Sequence, residues 1–265
     1  MPIPAAFDLS GRVAVVTGAG SPEGIGFATA RLLAGLGAAV MISATTDRIQ
    51  DRASELISAG CDAAGFAADL TDAAAASRLV SAALERWGRL DILVNNAGMI
   101  SAAVPVFESG TVESMDLVTW QAAIARNLTT AFLVTKAALP HMTSRGWGRI
   151  IMVASVTGPV MAMRADVGYA SAKAGMVGLT RAIAVDVAGH GITVNAVAPG
   201  WIATGSQTPE EHGEGLATPA GRSGSPGEVA AAVAWLASPG ASYITGQYLV
   251  VDGGNSIAEQ RAKPG

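Results

Sequence analysis

Seven short apolar runs recur along this chain of 265 residues, and longer amphipathic stretches separate most of them. The runs lie at 12–17 (RVAVVT), 39–43, 63–67, 91–94, 149–154, 193–198 and 248–251. They are nearly continuous in apolar character rather than alternating, as strands buried on both faces are. The stretches between them, 24–36, 47–59, 73–87, 117–143, 168–188 and 227–237, carry helical spacing. Strand–helix alternation at this interval constrains the chain to an α/β fold, a parallel sheet with helices on both faces. No Pro/Gly/Ser linker or internal repeat divides it, so residues 1–265 are expected to form a single domain. Two irregular stretches, 100–116 and 201–226, break the alternation, and the second is expected to be a lid over a substrate.

The first run leads straight into Thr17-Gly18-Ala19-Gly20-Ser21-Pro22-Glu23-Gly24-Ile25-Gly26, and a helical stretch follows. Glycines there let the turn tighten and let backbone approach a pyrophosphate. The helix that follows offers free N–H groups and a favourable dipole. A strand before and a helix after make this a candidate dinucleotide site, with Gly18, Gly20, Ser21, Gly24, Ile25 and Gly26 facing or framing the phosphates. The second run ends at Ser43-Ala44-Thr45-Thr46-Asp47-Arg48. An NAD site of this kind carries a carboxylate at that strand end to bind the ribose hydroxyls. Ala44 stands there instead, and Thr45, Thr46 and Arg48 can bond a 2′-phosphate. The expectation is NADP(H), with NAD(H) the alternative.

Tyr169 and Lys173 are four residues apart within a helical stretch, and Ser155 lies fourteen residues upstream. Residues at i and i+4 share one helix face. A lysine ammonium beside a phenol favours the phenolate and lowers a pKa that is otherwise near ~10. The trio reads as a general acid/base with a hydroxyl partner.

Half of the residues are hydrophobic and 14% are charged, enough apolar content for a large core without disulfides. The lone cysteine, Cys61, has no internal partner, which suits a reduced, cytoplasmic setting. A net charge of −4 and the lack of any Lys/Arg run argue against nucleic acid as partner. No stretch approaches the ~20 apolar residues of a membrane-spanning helix, and no secretory signal pattern opens the chain. His141, His190 and His212 are scattered without metal-ligand spacing, so no catalytic metal is expected.

In this order and at these intervals, Thr17–Gly26, Asp69-Leu70, Asn95-Asn96-Ala97-Gly98, the Ser155/Tyr169/Lys173 set and Pro199-Gly200 resemble the short-chain dehydrogenase/reductase family. The resemblance runs from about Leu9 to Gly254 and is closest to the 3-oxoacyl-carrier-protein reductase branch. It implies a doubly wound, seven-stranded Rossmann fold and reversible hydride transfer between a nicotinamide and a ketone or secondary alcohol. It assigns Asp69, with Leu70, to the adenine. Asn95, Ala97 and Gly98 would support the sheet and line the cleft. Asn127 would kink its helix and hold a relay water, and Ser155 would position the substrate oxygen. Tyr169 would exchange the proton, and Lys173 would bind the nicotinamide ribose and lower the Tyr169 pKa. Pro199, Gly200, Ile202 and Thr204 would pass beside the nicotinamide. A homotetramer is implied too, with the helices around 117–143 and 168–188 as one interface.

The glycine-rich turn departs from the common family form by two extra residues and lacks the basic residue that many NADP-dependent members carry there. Three functions compete. The favoured one is a ketone/alcohol oxidoreductase acting on a small molecule; the second is a 3-oxoacyl-carrier-protein reductase; the third is a non-catalytic NADP(H) sensor. The apolar residues Val104, Val106, Val160, Met161, Met163 and Trp201 point to a hydrophobic pocket or to subunit contacts.

Overall fold

Burial of apolar strands on both faces accounts for the architecture of the computed structural model, which describes residues 3–98 and 109–260. Seven parallel strands form one sheet in the order β3-β2-β1-β4-β5-β6-β7. They are β1 (Val13–Val16), β2 (Ala39–Ala44), β3 (Ala63–Ala67), β4 (Ile92–Asn95), β5 (Gly148–Val153), β6 (Ile192–Pro199) and β7 (Tyr248–Val251). Strands β1 and β4 through β6 are wholly buried.

Alternate residues along each strand feed two separate cores, as a pleat of period two requires. Val40, Ile42, Ile92, Val94 and Ile151 pack with Phe27 and Leu33 of α1 (Ile25–Gly35), Ile49 and Leu56 of α2 (Arg48–Ser58), and Val233 of α8 (Pro226–Ala237). On the opposite face Met41, Leu93, Ile150 and Met152 meet three helices. These are α3 (Ala73–Trp87), α5 (Thr130–Arg145) and α6 (Val167–Val187), through Leu79, Val134, Met142 and Met176. The sheet is therefore doubly wound, as the spacing of the runs implies.

Two stretches differ from their sequence reading. Residues 117–143 are not one uniform helix but α4 (Leu117–Ile124), a π-helical turn (Ala125–Thr129) and α5. Buried Asn127 sits in that wider turn, and its side-chain amide donates to the Ala123 carbonyl at 3.1 Å. A side chain claiming a backbone acceptor is a common accompaniment of a π-bulge. Within 201–226 the chain forms α7 (Pro209–Leu216), closed by a reciprocal cap between Thr208 and Glu211. Its Glu- and Gly-rich sequence has no apolar stripe, so periodicity misses it. Thr208-Pro209-Glu210-Glu211 is nonetheless a capping-box signature with proline at the first helical position. Of the stretch 100–116, residues 100–108 lie outside the described residues, Val104 and Val106 among them.

Candidate active site

The carboxyl ends of the strands open into a cleft of about 1140 Å³. It lies where β1 turns to β2 on one side and β4 on the other, the place where an open α/β sheet accepts ligands. Gly18 leaves β1 at φ +68° beside Ala97, where a Cβ would sit 2.7 Å from the Ala97 Cα. The two turns touch because neither glycine nor alanine keeps them apart. Asn96 then ties them: its side-chain amide donates to the carbonyls of Thr17 and Gly18, both at 3.0 Å. The Thr17 hydroxyl accepts from the backbone N–H groups of Asn96 (3.0 Å) and Ala97 (2.9 Å).

Of the residues expected at the dinucleotide, Gly18, Gly20, Ser21, Gly24, Ile25, Thr45, Arg48, Asp69, Leu70, Ala97, Gly98, Pro199, Gly200, Ile202 and Thr204 line this cleft. Gly26, Thr46 and Asn95 do not. Gly26 packs against Gly18 and Asn96, where a Cβ would come within 2.5 Å of the Asn96 amide nitrogen. Asn95 points into the core, donating to the Thr135 hydroxyl at 2.9 Å. Strand parity explains the division: the last residue of β4 faces the core, and the next one faces the cleft. Asn95 thus supports the sheet from its core side, while its neighbours Asn96, Ala97 and Gly98 line the cleft.

The glycine cradle suits a pyrophosphate, since there is no room for a side chain at Gly18 or Gly26. At the adenosine end Arg48 folds across the turn, its Nε 2.7 Å from where a Gly20 Cβ would sit. No carboxylate stands at Ala44, so the residues present fit a phosphorylated ribose. Asp69 accepts from the Thr71 amide (3.0 Å) and hydroxyl (2.8 Å), which fixes its carboxylate at the rim. The two-residue insertion carries Glu23 outward to the start of the 201–226 segment, with its Oε2 2.8 Å from where a Gly205 Cβ would be.

At the other end of the cleft, Ser155, Tyr169 and Lys173 converge. Ser155 follows β5, and its Oγ accepts from the Thr157 N–H at 3.1 Å. Tyr169 and Lys173 share the first turns of α6, with the ammonium 5.5 Å from the phenol ring centre. Lys173 is buried and donates to the Val153 carbonyl at 2.9 Å. Asn127 stands behind them rather than in the cleft wall. Gly98 permits this approach: a Cβ on it would lie 2.7 Å from the Asn127 Oδ1 and 3.4 Å from the Lys173 Nζ.

The Tyr169 phenol is shifted opposite to the sequence expectation. Burial pushes it up to about 12; the hydrogen bond with Ser155 works downward, and Asp166 and Glu211 add to the rise. Burial also draws the Lys173 ammonium down to about 8. Desolvation is the largest cause for both groups. Asp166, just ahead of α6, is buried with its Oδ1 unpartnered, and burial lifts its carboxyl to about 6. Sequence reading passed over Asp166 and Glu211, which act on Tyr169 from separate segments. Among the described residues no group of three or more His, Cys, Asp or Glu could hold a metal ion. No described helix is long and apolar enough to cross a membrane.

A family model described as "Enoyl-(Acyl carrier protein) reductase" matches residues 18–256. A cis-4-hydroxycyclohexanecarboxylate dehydrogenase from Sinomonas cyclohexanicum is 43% identical, over 92% of this chain and 96% of its own. A 3-oxoacyl-[acyl-carrier-protein] reductase from Vibrio cholerae is 41% identical, over 93% of this chain and 98% of its own. Among solved structures, one assigned to an NAD(P)-dependent gluconate 5-dehydrogenase from Beutenbergia cavernae, with NADP bound at low occupancy, superposes with a TM-score of 0.86. It is 37% identical and covers 96% of this chain and 100% of its own. The chain belongs to the short-chain dehydrogenase/reductase family, on its 3-oxoacyl-carrier-protein-reductase-like branch. It is an oxidoreductase of CH–OH groups.

Proposed function

We propose that the protein interconverts a small-molecule ketone and its secondary alcohol with NADP(H), Tyr169 exchanging the proton. The observation that carries this is the convergence of Ser155, Tyr169 and Lys173 on one cleft whose other end is a glycine cradle. A bound nicotinamide supplies or accepts the hydride. Ser155 holds the substrate oxygen by a hydrogen bond, and Tyr169 gives its proton to the alkoxide that develops there. Preorganised donors facing developing charge contribute the largest share of such catalysis. Lys173, desolvated and directed by Val153, is placed to hold a ribose hydroxyl, and Asn127 to order a relay water behind it. A phenol held up to about 12 stays protonated across the neutral range, which suits the reducing direction.

Tyr169→Phe is expected to retain its fold and NADPH affinity while turnover falls by roughly 10²–10⁴-fold, as loss of a general acid does. Near-normal kcat would sink the assignment, and tight cofactor binding without turnover on any ketone in the wild type would favour a sensor instead. Arg48 and the missing carboxylate at Ala44 support NADP(H) over NAD(H), a choice that initial rates with each cofactor test directly.

Two relatives are named for hydroxy carboxylates, which makes a carboxylate-bearing alcohol a candidate substrate. The runner-up is an acyl-carrier thioester. The carrier is acidic, and the cleft mouth carries Glu211 and Glu214 on α7, which disfavours its docking. Comparing acetoacetyl thioesters with simple ketones separates the two.

In this reading the 201–226 segment is the lid. The active unit is a homotetramer: α5 and α6 frame an apolar groove of about 580 Å³ lined by Phe132, Leu139, Leu179 and Ile183. A cytoplasmic setting fits the single, half-buried Cys61.

A further inference from the structure

We propose that Arg164 is a specificity residue that pairs with a carboxylate on the substrate, so that the cleft selects small hydroxy or oxo acids. The inference rests on the ketone/alcohol reading of the cleft and deepens it. The wall between Ser155 and Tyr169 carries Met161, Ala162 and Met163 and ends at Arg164; Trp201 and Ile202 line the cleft as well. An apolar body is thus matched by apolar walls, and a guanidinium stands at the end of one of them.

The segment that presents Arg164 is held from both sides. Ala165, at φ +54°, is the one non-glycine residue with positive φ among those described. Its carbonyl accepts from the Gly110 N–H at 2.7 Å, and the Asp166 carbonyl accepts from the Ala170 N–H at 3.0 Å. A left-handed alanine is unfavourable unless its surroundings impose it. The turn therefore fixes where the preceding side chain starts.

Among the described residues, every other charge lining this end of the cleft is committed elsewhere. Lys173 donates to the Val153 carbonyl, and Glu211 accepts from the Thr208 N–H at 2.8 Å within the α7 cap. Arg126 and Glu214 each have partners of their own. Asp166 is buried and does not line the cleft. Arg164 makes no ion pair or hydrogen bond with the described residues. A planar guanidinium so placed matches a carboxylate with two parallel bonds.

The test uses the full chain with NADPH and a matched pair of ketones, 4-oxocyclohexanecarboxylate and its methyl ester, in the wild type, Arg164→Met and Arg164→Lys. The wild type is expected to favour the acid by about 10-fold or more in kcat/KM. In Arg164→Met the acid-over-ester ratio should fall close to one, chiefly through KM for the acid, and Arg164→Lys should restore part of it. A wild type that reduces the ester as well as the acid overturns the inference and leaves the reading of the site standing. An unchanged ratio in Arg164→Met, or an equal loss on both ketones as expected of a lid tether, also overturns it. Failure to reduce any ketone overturns both the inference and the reading beneath it.

Discussion

The phenol, ammonium and carboxyl at the start of α6 carry opposing demands. Burial penalises the charged form of each, so Tyr169 and Asp166 rise while Lys173 falls. For Asp166 the sign has a consequence for stability. A carboxyl raised to about 6 in the fold gives stability that is present in acid and lost as pH rises through that value. Asp166→Asn cannot titrate. Its stability relative to the wild type is therefore expected to improve between pH 4.5 and 7.5, by roughly 1–3 kcal/mol, the cost of a buried unsatisfied polar group. Urea midpoints at the two pH values measure this, and a difference that stays flat would show that Asp166 ionises normally. The same contrast marks what sequence could reveal of the site. Tyr169 and Lys173 were legible because their relation is local, one turn of one helix. The burial that sets their pKa values is assembled from β5, the turn before α6 and α7, and no local spacing encodes it. The division of roles between Asn95 and Asn96 likewise depends on where β4 ends.

At the scale of elements, the strands were legible nearly to the residue, because runs buried on both faces leave no competing pattern. The helices were legible where a stripe faced a core, as in α3, where the expected and observed limits coincide. Legibility failed where stability comes from end chemistry or from one side chain, in α7 and in the π-turn at Asn127. The two capping boxes offer a test of what α7 does. Thr208 caps α7, whose one buried residue is Gly215, and Ser225 caps α8, which buries Val229, Val233, Leu236 and three alanines (Ala230, Ala234 and Ala237) against the sheet and α1. Removing either cap costs about 1 kcal/mol of helix stability. In Thr208→Ala that loss should stay local, leaving the unfolding midpoint in place while KM for the ketone rises several-fold. In Ser225→Ala the midpoint should drop and KM hold. Equal shifts in the two midpoints would argue that α7 is part of the cooperative core and not a lid.

For the molecule as a whole, stability and chemistry occupy opposite ends of the sheet. At the amino-terminal end of β4, fully buried Asp91 accepts from the Val13 N–H at 2.9 Å and from Arg89 at 2.6 and 2.7 Å, with Arg12 at 3.3 Å. That clamp joins β1 to β4 below the cleft, so the catalytic end is free to carry strain and unpaired groups. Assembly belongs to this scale too. Phe132, 45% exposed, faces the apolar groove between α5 and α6. Light scattering is expected to give four chain masses for the wild type and a smaller species for Phe132→Glu; a monomeric wild type would end the tetramer reading. The pairing of β1 with β4 has a last consequence, in time rather than in space. Ala14 lies beside Ile92, and the chain between them holds β2, β3 and three helices. Contacts of such long sequence separation are slow to form. The nucleotide cradle, made of the turns that leave these two strands, exists only where this long-range pairing has formed. A dinucleotide therefore draws its binding energy from completed folds alone and pulls the refolding equilibrium towards them.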